Sequence, residues 1–346
     1  MGLQIGDIVP RKDIRISDLK RKTIVVDASN IIYQFLSTIR QPDGTPLMDK
    51  KGRVTSHLSG LFYRNVNLLL EGINLIYVFD GKPPELKFKT NEKRRESKDI
   101  AREKYESAKK KKDIAEMRRY AQQLTKLGPE QIKESKELLE AMGIAVIQAP
   151  SEAEAQASYL CKHDKEIYAV ASQDYDSLAF GTPILLQNLT FATKRKTSSG
   201  FVFISPQIIE LEKVFNTLQI SQDQLISLAI LTGTDYNPGG IYGIGPKKAL
   251  NLVRAYKQPA LIFKQVEKQL EEDGKKLDFD WKEIFELFKK HPVIENPSII
   301  PPKLNEDKIK NILLEHDFSE DRVENQLKKL RDLKELKKQK GLKDFF

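Results

Sequence analysis

Apolar runs that break off against polar, carboxylate-rich segments set the organisation of this chain. TIVVDAS (23–29), INLIYVFDG (73–81), IAVIQAP (144–150) and IYAVASQDYD (167–176) are four such runs, and PILLQNL (183–189) is a shorter fifth. Amphipathic helical stretches lie between them: SHLSGLFYRNVNLLLEG (56–72), PEQIKESKELLEAMG (129–143) and SEAEAQASYLCKH (151–163). Strands alternating with helices predict βαβ units, so the expected class is α/β: a mostly parallel central sheet with helices on both faces. In such sheets ligands sit outside the carboxyl ends of the strands.

That end of the sheet is where acidic residues accumulate. The first run ends at Asp27, the second at Asp80 and the fourth at Asp174 and Asp176. Each alone reads as a helix cap or a turn. Several together on one edge need a reason, because like charges brought close repel. The third run leads into APSEAEAQ, where Ser151 and Glu154 have the spacing of a capping box. Glu152 and Glu154 nevertheless begin their helix beside the other carboxylates, although a regular helix does not point residues two apart the same way. Asp235, in LTGTDYN, is a seventh candidate. Seven carboxylates without His or Cys form a hard, all-oxygen donor set, suited to Mg²⁺ or Mn²⁺ and not to zinc. Their charge calls for two ions, which at roughly 4 Å apart would clamp an in-line phosphoryl displacement.

Charge separates two further segments. The chain carries 58 Lys and Arg against 49 Asp and Glu, a net +9. Residues 82–119 hold 15 basic and 8 acidic side chains, and residues 327–346 hold 8 and 3, so the remainder is slightly acidic. Two basic segments on a near-neutral body fit a polyanionic partner; a solvated Lys/Glu-rich helix surface is the alternative for the first. Residues 85–127 are helix-prone with a thin apolar stripe, and follow a strand directly. They predict a weakly anchored helical arch or lid inserted on the carboxyl side of the sheet. There is no apolar run long enough for a membrane span and no signal-peptide pattern, and Cys161 is the single cysteine. The expectation is an intracellular protein without a disulfide framework.

Beyond residue 200 the pattern reads as helical, with SPQIIELEKVF (205–215) and SQDQLISLAILTG (221–233) both amphipathic. NPSIIPPK (296–303) is a Pro-rich connector, and DRVENQLKKLRDLKELKKQ (321–339) reads as an exposed helix. GGIYGIGPKKAL (239–250) has the form of a helix-hairpin-helix. Gly243 and Gly245 let backbone approach a phosphate, the following helix start points N–H groups at it, and Lys247 and Lys248 add charge. A Gly-rich helix connection is the structural alternative. A P-loop is excluded because Pro246 occupies the lysine position.

VVDASN, VFDGKPPELK, APSEAEAQASYL, ASQDYDSLAFG, LTGTDYN and GIYGIGPKKAL, in this order through nearly the whole chain, resemble the flap endonucleases, structure-specific 5′ nucleases of replication and repair, in their archaeal form. The resemblance implies the 5′ nuclease, PIN-like version of the α/β fold, divided into a nuclease region at 1–84, the arch at 85–127, a second nuclease region at 128–325 and a basic tail at 326–346. It implies a site for two Mg²⁺, with Mn²⁺ as substitute, built from Asp27, Asp80, Glu152, Glu154, Asp174, Asp176 and Asp235. Lys87 and Arg94 match the family's phosphate-steadying lysine and arginine, and Tyr33 an aromatic on which a base stacks. The 237–256 element would grip duplex backbone, with a K⁺ ion often present in the family. The implied substrate is branched DNA with a 5′ flap, cut by hydrolysis, with 5′–3′ exonuclease side activity. The terminal QKGLKDFF fits a sliding-clamp (PCNA) motif through Gln339, Leu342, Phe345 and Phe346. The protein is expected to be monomeric on its own and to act in the cytoplasm or nucleoid, at sites of replication and repair. A non-catalytic junction scaffold that recruits the clamp, and an RNA-cutting nuclease, are the competing readings.

Overall fold

In the computed structural model all five expected strands form, each a residue or more shorter than its apolar run. The structure describes the backbone of residues 3–190, 194–197 and 200–343, and their side chains except at 88–89, 91–94, 194–197, 201–203 and 333–343. A two-residue strand β1 (Lys12–Asp13) precedes β2 (Thr23–Asp27), α1 (Ala28–Thr38), α2 (Ser56–Leu70) and β3 (Asn74–Phe79). A 3₁₀ turn (Glu85–Lys87) opens α3 (Phe88–Lys111), which is followed by α4 (Ile114–Gln123). Then come α5 (Pro129–Ala141), β4 (Ala145–Gln148), α6 (Ala153–His163), β5 (Ile167–Ala171), the single turn α7 (Asp176–Ala179) and β6 (Ile184–Gln187). The rest comprises a hairpin of β7 (Lys194–Thr197) and β8 (Gly200–Phe203), strand β9 (Gln207–Glu210), and helices α8 (Leu211–Leu218), α9 (Gln222–Thr232), α10 (Pro246–Tyr256), α11 (Pro259–Glu272), α12 (Trp281–Lys289), α13 (Glu306–Glu315) and α14 (Glu320–Lys343).

The main sheet has the order β1-β9-β6-β5-β2-β3-β4. From β6 to β4 it is parallel, and β9 and β1 are added antiparallel at one edge. The chain starts near the middle at β2, runs outward through β3 to β4, then returns to the other side of β2 for β5 and β6. The order therefore reverses between β2 and β5, which is where an open α/β sheet leaves a crevice for ligands. Asp27 pairs with Val78, and Val26 pairs with both Tyr77 and Ala171, so the three central strands end level with one another.

Alternation of side chains builds two cores from the same strands. Ile24, Val26, Leu75 and Tyr77 face the helices α1, α2, α5, α13 and α14. Val25, Ile76, Val78 and Val170 face α6 through Ala153, Ala157 and Leu160. A third cluster joins α8–α12 to Leu185 and Ile209. Tyr77 is fully buried, and its hydroxyl donates to Asn65 Oδ1 at 2.8 Å, so the phenol keeps a hydrogen bond that burial would otherwise remove.

Two expectations are corrected. The segment expected as one helix over 205–215 begins as β9, and the helix starts only at Leu211. Ile208 and Ile209 enter different cores, which a strand covered on both faces requires and a short apolar run does not reveal. The last helix is not exposed throughout. Val323, Leu327 and Leu330, at helical spacing, are buried beside α2 and α13, and α14 runs unbroken across residue 326. The 85–127 insertion folds as the helices α3 and α4, which pack against each other. Ala101 and Ala108 of α3 are buried, while Ile100 and Ile114 are exposed. Arg118 donates to the Pro42 carbonyl at 2.7 Å, and the buried Thr90 hydroxyl donates to the Asp235 carbonyl.

Candidate active site

The carboxyl ends of β2, β3 and β5 and the start of α6 bring the acidic residues together. Asp27 ends β2 and is buried, accepting from the Asn30 amide at 3.1 Å as the N-cap of α1. Asp80 follows β3, and its Oδ1 accepts from the Ala153 amide at 2.8 Å, so a carboxylate from the neighbouring strand caps α6. The Ser151–Glu154 capping box does not form. Ser151 Oγ donates to the Lys82 carbonyl at 3.1 Å, and Glu154 Oε1 accepts from Ser172 Oγ at 2.8 Å and Ser177 Oγ at 3.2 Å. Glu152 is the N-cap residue with extended backbone, which frees Glu152 and Glu154 from the divergence a regular helix would impose. The loop that carries Asp80 fits because residue 81 is glycine: a Cβ there would lie 2.2 Å from the Ala149 carbonyl oxygen.

The electrostatics tie the carboxylates into one group. Burial, then the charges of Asp80 and Asp174, push the Asp27 carboxyl well above its ordinary value. Burial, then Asp174, Asp27 and Asp176, do the same to Glu154. Asp176 is raised by burial, then by Asp235 and Asp174. Lys87 is the cation among them, with Nζ 2.5 Å from Glu152 Oε1 and 3.3 Å from Asp235 Oδ2. Burial lowers its affinity for a proton, but Glu152 and Asp235 outweigh that and hold it above the ordinary lysine value. Among the described residues no three acidic, His or Cys side chains already form a ligating cage. The donor set nevertheless fits hard divalent ions: among the described residues several buried carboxylates face the one ammonium of Lys87, and a buried carboxylate is tolerated only when paired or protonated.

Residues not anticipated from sequence complete the surroundings. Asn30 Nδ2 donates to Asp174 Oδ2 at 2.8 Å, and Asn30 Oδ1 accepts from the Gln173 amide at 3.2 Å. The Leu3 amide donates to Asp176 Oδ1 at 3.2 Å. The Tyr236 hydroxyl donates to Glu152 Oε2 at 2.7 Å, and the Glu152 amide lies 3.4 Å from His291 Nε2. Burial, with Lys87 nearby, pushes the His291 imidazole down to about 4. Asn30 and Tyr236 each lie within a quoted motif, DASN and TDYN, so proximity to an acidic residue was their one signal. His291 has none.

The other candidates are distributed around this group. Tyr33 sits on α1 and is 40 % exposed. Arg94 lies on α3, with its side chain outside the description. Gly243 has φ +78°, Gly245 is the N-cap of α10, and a Cβ at either would meet nothing within 4 Å, so this surface is open. Lys247 and Lys248 are exposed in the first turn of α10. Gly240 packs its turn onto the end of α9, where a Cβ would lie 2.5 Å from the Leu231 carbonyl oxygen. Gln339 and Leu342 lie on α14 with side chains outside the description, and Phe345 and Phe346 fall beyond the described residues.

Comparison with known proteins agrees with this architecture. Residues 4–101 match the XPG N-terminal domain and residues 143–235 the XPG I-region, which together contain Asp27, Asp80, Glu152, Glu154, Asp174, Asp176 and Asp235. Flap endonuclease 1 of Pyrococcus furiosus is 50 % identical, with 100 % of this chain and 99 % of that protein covered. The solved structure of flap endonuclease-1 from Methanococcus jannaschii superposes with a TM-score of 0.74 at 41 % identity, covering 96 % of this chain and 98 % of that one. The catalytic core of Rad2 in complex with DNA substrate, at 23 % identity and a TM-score of 0.69 over 94 % of this chain and 99 % of that one, shares the fold. Fold and relatives together define a structure-specific 5′ nuclease, a phosphodiester hydrolase. The chain belongs to the flap endonuclease family.

Proposed function

We propose that the buried carboxylate group is the catalytic centre and that it hydrolyses 5′ flaps at the junctions of branched DNA with two divalent ions. The observation that carries this reading is the burial of Asp27, Glu154 and Asp176 against one another, with Lys87 as the cation bonded to their neighbours Glu152 and Asp235. Among the described residues Lys87 alone does not balance the group, and Mg²⁺ or Mn²⁺ would supply the remaining positive charge. Asp27, Asp80, Glu152 and Glu154 would hold one ion, Asp176 and Asp235 the other, and Asp174 would serve both. When bound, the ions supply a hydroxide at neutral pH and stabilise the charge that develops on the phosphate.

The chain's own residues do the rest. Lys87 is placed beside the carboxylates at the base of α3, where its ammonium can turn from Glu152 and Asp235 to a scissile phosphate. Arg94, two turns further on α3, is assigned the same phosphate. Tyr33 offers an exposed ring for stacking a base near the cut site. The open glycines before α10, with Lys247 and Lys248, suit the backbone of the duplex arm and a K⁺ ion bridging to it. Rad2 bound to DNA substrate and GEN1 bound to Holliday junction DNA share this fold, which supports a branched substrate. Gln339, Leu342, Phe345 and Phe346 are assigned to a sliding clamp, and the protein to sites of replication and repair as a monomer. Among the described residues no helix is long and apolar enough to cross a membrane.

A labelled double-flap DNA tests the reading. With Mg²⁺ the wild type is expected to cut near the flap base, and Asp176→Ala to bind the same DNA while cutting about 10²–10³-fold more slowly, the loss of a principal electrostatic contributor. Tight junction binding by the wild type with no cleavage in Mg²⁺ or Mn²⁺ would overturn it in favour of a non-catalytic scaffold.

A further inference from the structure

Glu152 is held from sides that its own helix does not provide. Its Oε2 accepts from the Tyr236 hydroxyl at 2.7 Å, while Oε1 lies 2.5 Å from Lys87 Nζ. Tyr236 is 4 % exposed, and its ring packs edge-on against Phe288 with centroids 5.3 Å apart. Its backbone is fixed as well. The Tyr236 amide donates to Thr234 Oγ1 at 3.1 Å, the Thr234 amide and hydroxyl both donate to Asn237 Oδ1, and Asn237 Nδ2 donates to the Ile230 carbonyl at 2.7 Å. The phenol therefore has little freedom to follow a moving carboxylate; the carboxylate has to come to it.

We propose that Tyr236 is the positioning residue for Glu152, engaging Oε2 so that Oε1 is the oxygen presented to a divalent ion. This rests on the reading of Glu152 as a ligand. Lys87 pairs with Oε1, the oxygen that would be offered to a divalent ion, while Tyr236 engages only Oε2. Outer groups of this kind orient ligating carboxylates, and their loss commonly weakens metal binding by 10–100-fold. Tyr236 also follows Asp235 directly, so one tight turn sets a ligand of one ion and the orientation of a ligand of the other.

Tyr236→Phe removes only the hydroxyl. Its Mn²⁺ affinity without DNA, followed by the electron paramagnetic resonance signal of free Mn²⁺, is expected to fall roughly tenfold. Circular dichroism and the KM for flap DNA should match the wild type, and kcat should recover as Mg²⁺ is raised, a pattern that a general structural defect would not produce. Adding Tyr236→Phe to Glu152→Gln should cost nothing further, because the two act through one contact. Wild-type Mn²⁺ affinity in Tyr236→Phe, alongside weakened affinity in Glu152→Gln, overturns this inference alone. Unchanged affinity in Glu152→Gln overturns the ligand assignment beneath it.

Discussion

Lys87 joins Glu152 and Asp235, two carboxylates that lie far apart in the chain. Its removal takes the ammonium from both carboxylates, and breaking a buried pair from one side costs about 3–5 kcal/mol. Lys87→Met is therefore expected to lower the melting temperature of the metal-free protein by several degrees. Mg²⁺ should restore more of the loss in this variant than it adds to the wild type, because the ion replaces the missing ammonium. Paired thermal scans with and without Mg²⁺ measure this. An equal Mg²⁺ increment in both proteins would mean that Lys87 does not balance the charge of the metal site. Asp27 shows how two roles fit one residue: it caps α1 through Asn30 and also lies in the acidic group, and neither role excludes the other.

At the level of elements, α6 is capped by a residue of another strand. Asp80 accepts from the Ala153 amide, so helix start and site geometry are one contact. Asp80→Asn and Asp80→Ala both remove a charge, but asparagine still caps. The alanine variant should be about 1 kcal/mol less stable than the asparagine variant, with cleavage impaired in both. Chemical denaturation of the two, compared directly, gives the difference. Asp27, Asp80, Asp174 and Asp176 were legible in sequence because each follows a short apolar run, and the level strand ends translate that into one edge, whereas Asp235 follows α9. Contacts between distant segments were not. Ser151 and Glu154 have the spacing of a cap, yet Glu154 turns to Ser172, just after β5, and to Ser177 in α7. Tyr236 reaches Glu152 across 84 residues, a distance over which local periodicity carries no signal. β9 escaped because two adjacent isoleucines fit a strand and a helix start equally well until both cores are known. The buried stripe of α14 escaped because charged neighbours on every side make it read as solvated.

Across the whole molecule, a polar joint fastens the C-terminal helices to the sheet-bearing core. Glu134 on α5 accepts from His57 Nε2 at 2.9 Å and from His316 Nε2 at 3.0 Å, linking α2, α5 and the end of α13. Burial alone would raise this carboxyl, but the hydrogen bond and charge of His57, with those of His316, hold it below its ordinary value. Stability from a lowered carboxyl is complete above its unfolded value, near 4.3, and is lost as pH falls through the lower folded value. Calorimetry between pH 7 and pH 3 should show Glu134→Gln less stable than the wild type at neutral pH, with the gap closing below about pH 4. A gap independent of pH would assign the joint to packing and not to charge.

The strand order has a consequence for the time course of folding. β2, at residues 23–27, pairs with β5, at residues 167–171, and β1 waits for β9 near residue 208. Pairings so distant in sequence close large loops and form slowly. Asp235 comes later still. A nascent chain can build the β2–β3 pair early, but it holds only part of the acidic group until the helices beyond residue 220 have left the ribosome. A product that ends before residue 235 therefore lacks one of the seven carboxylates.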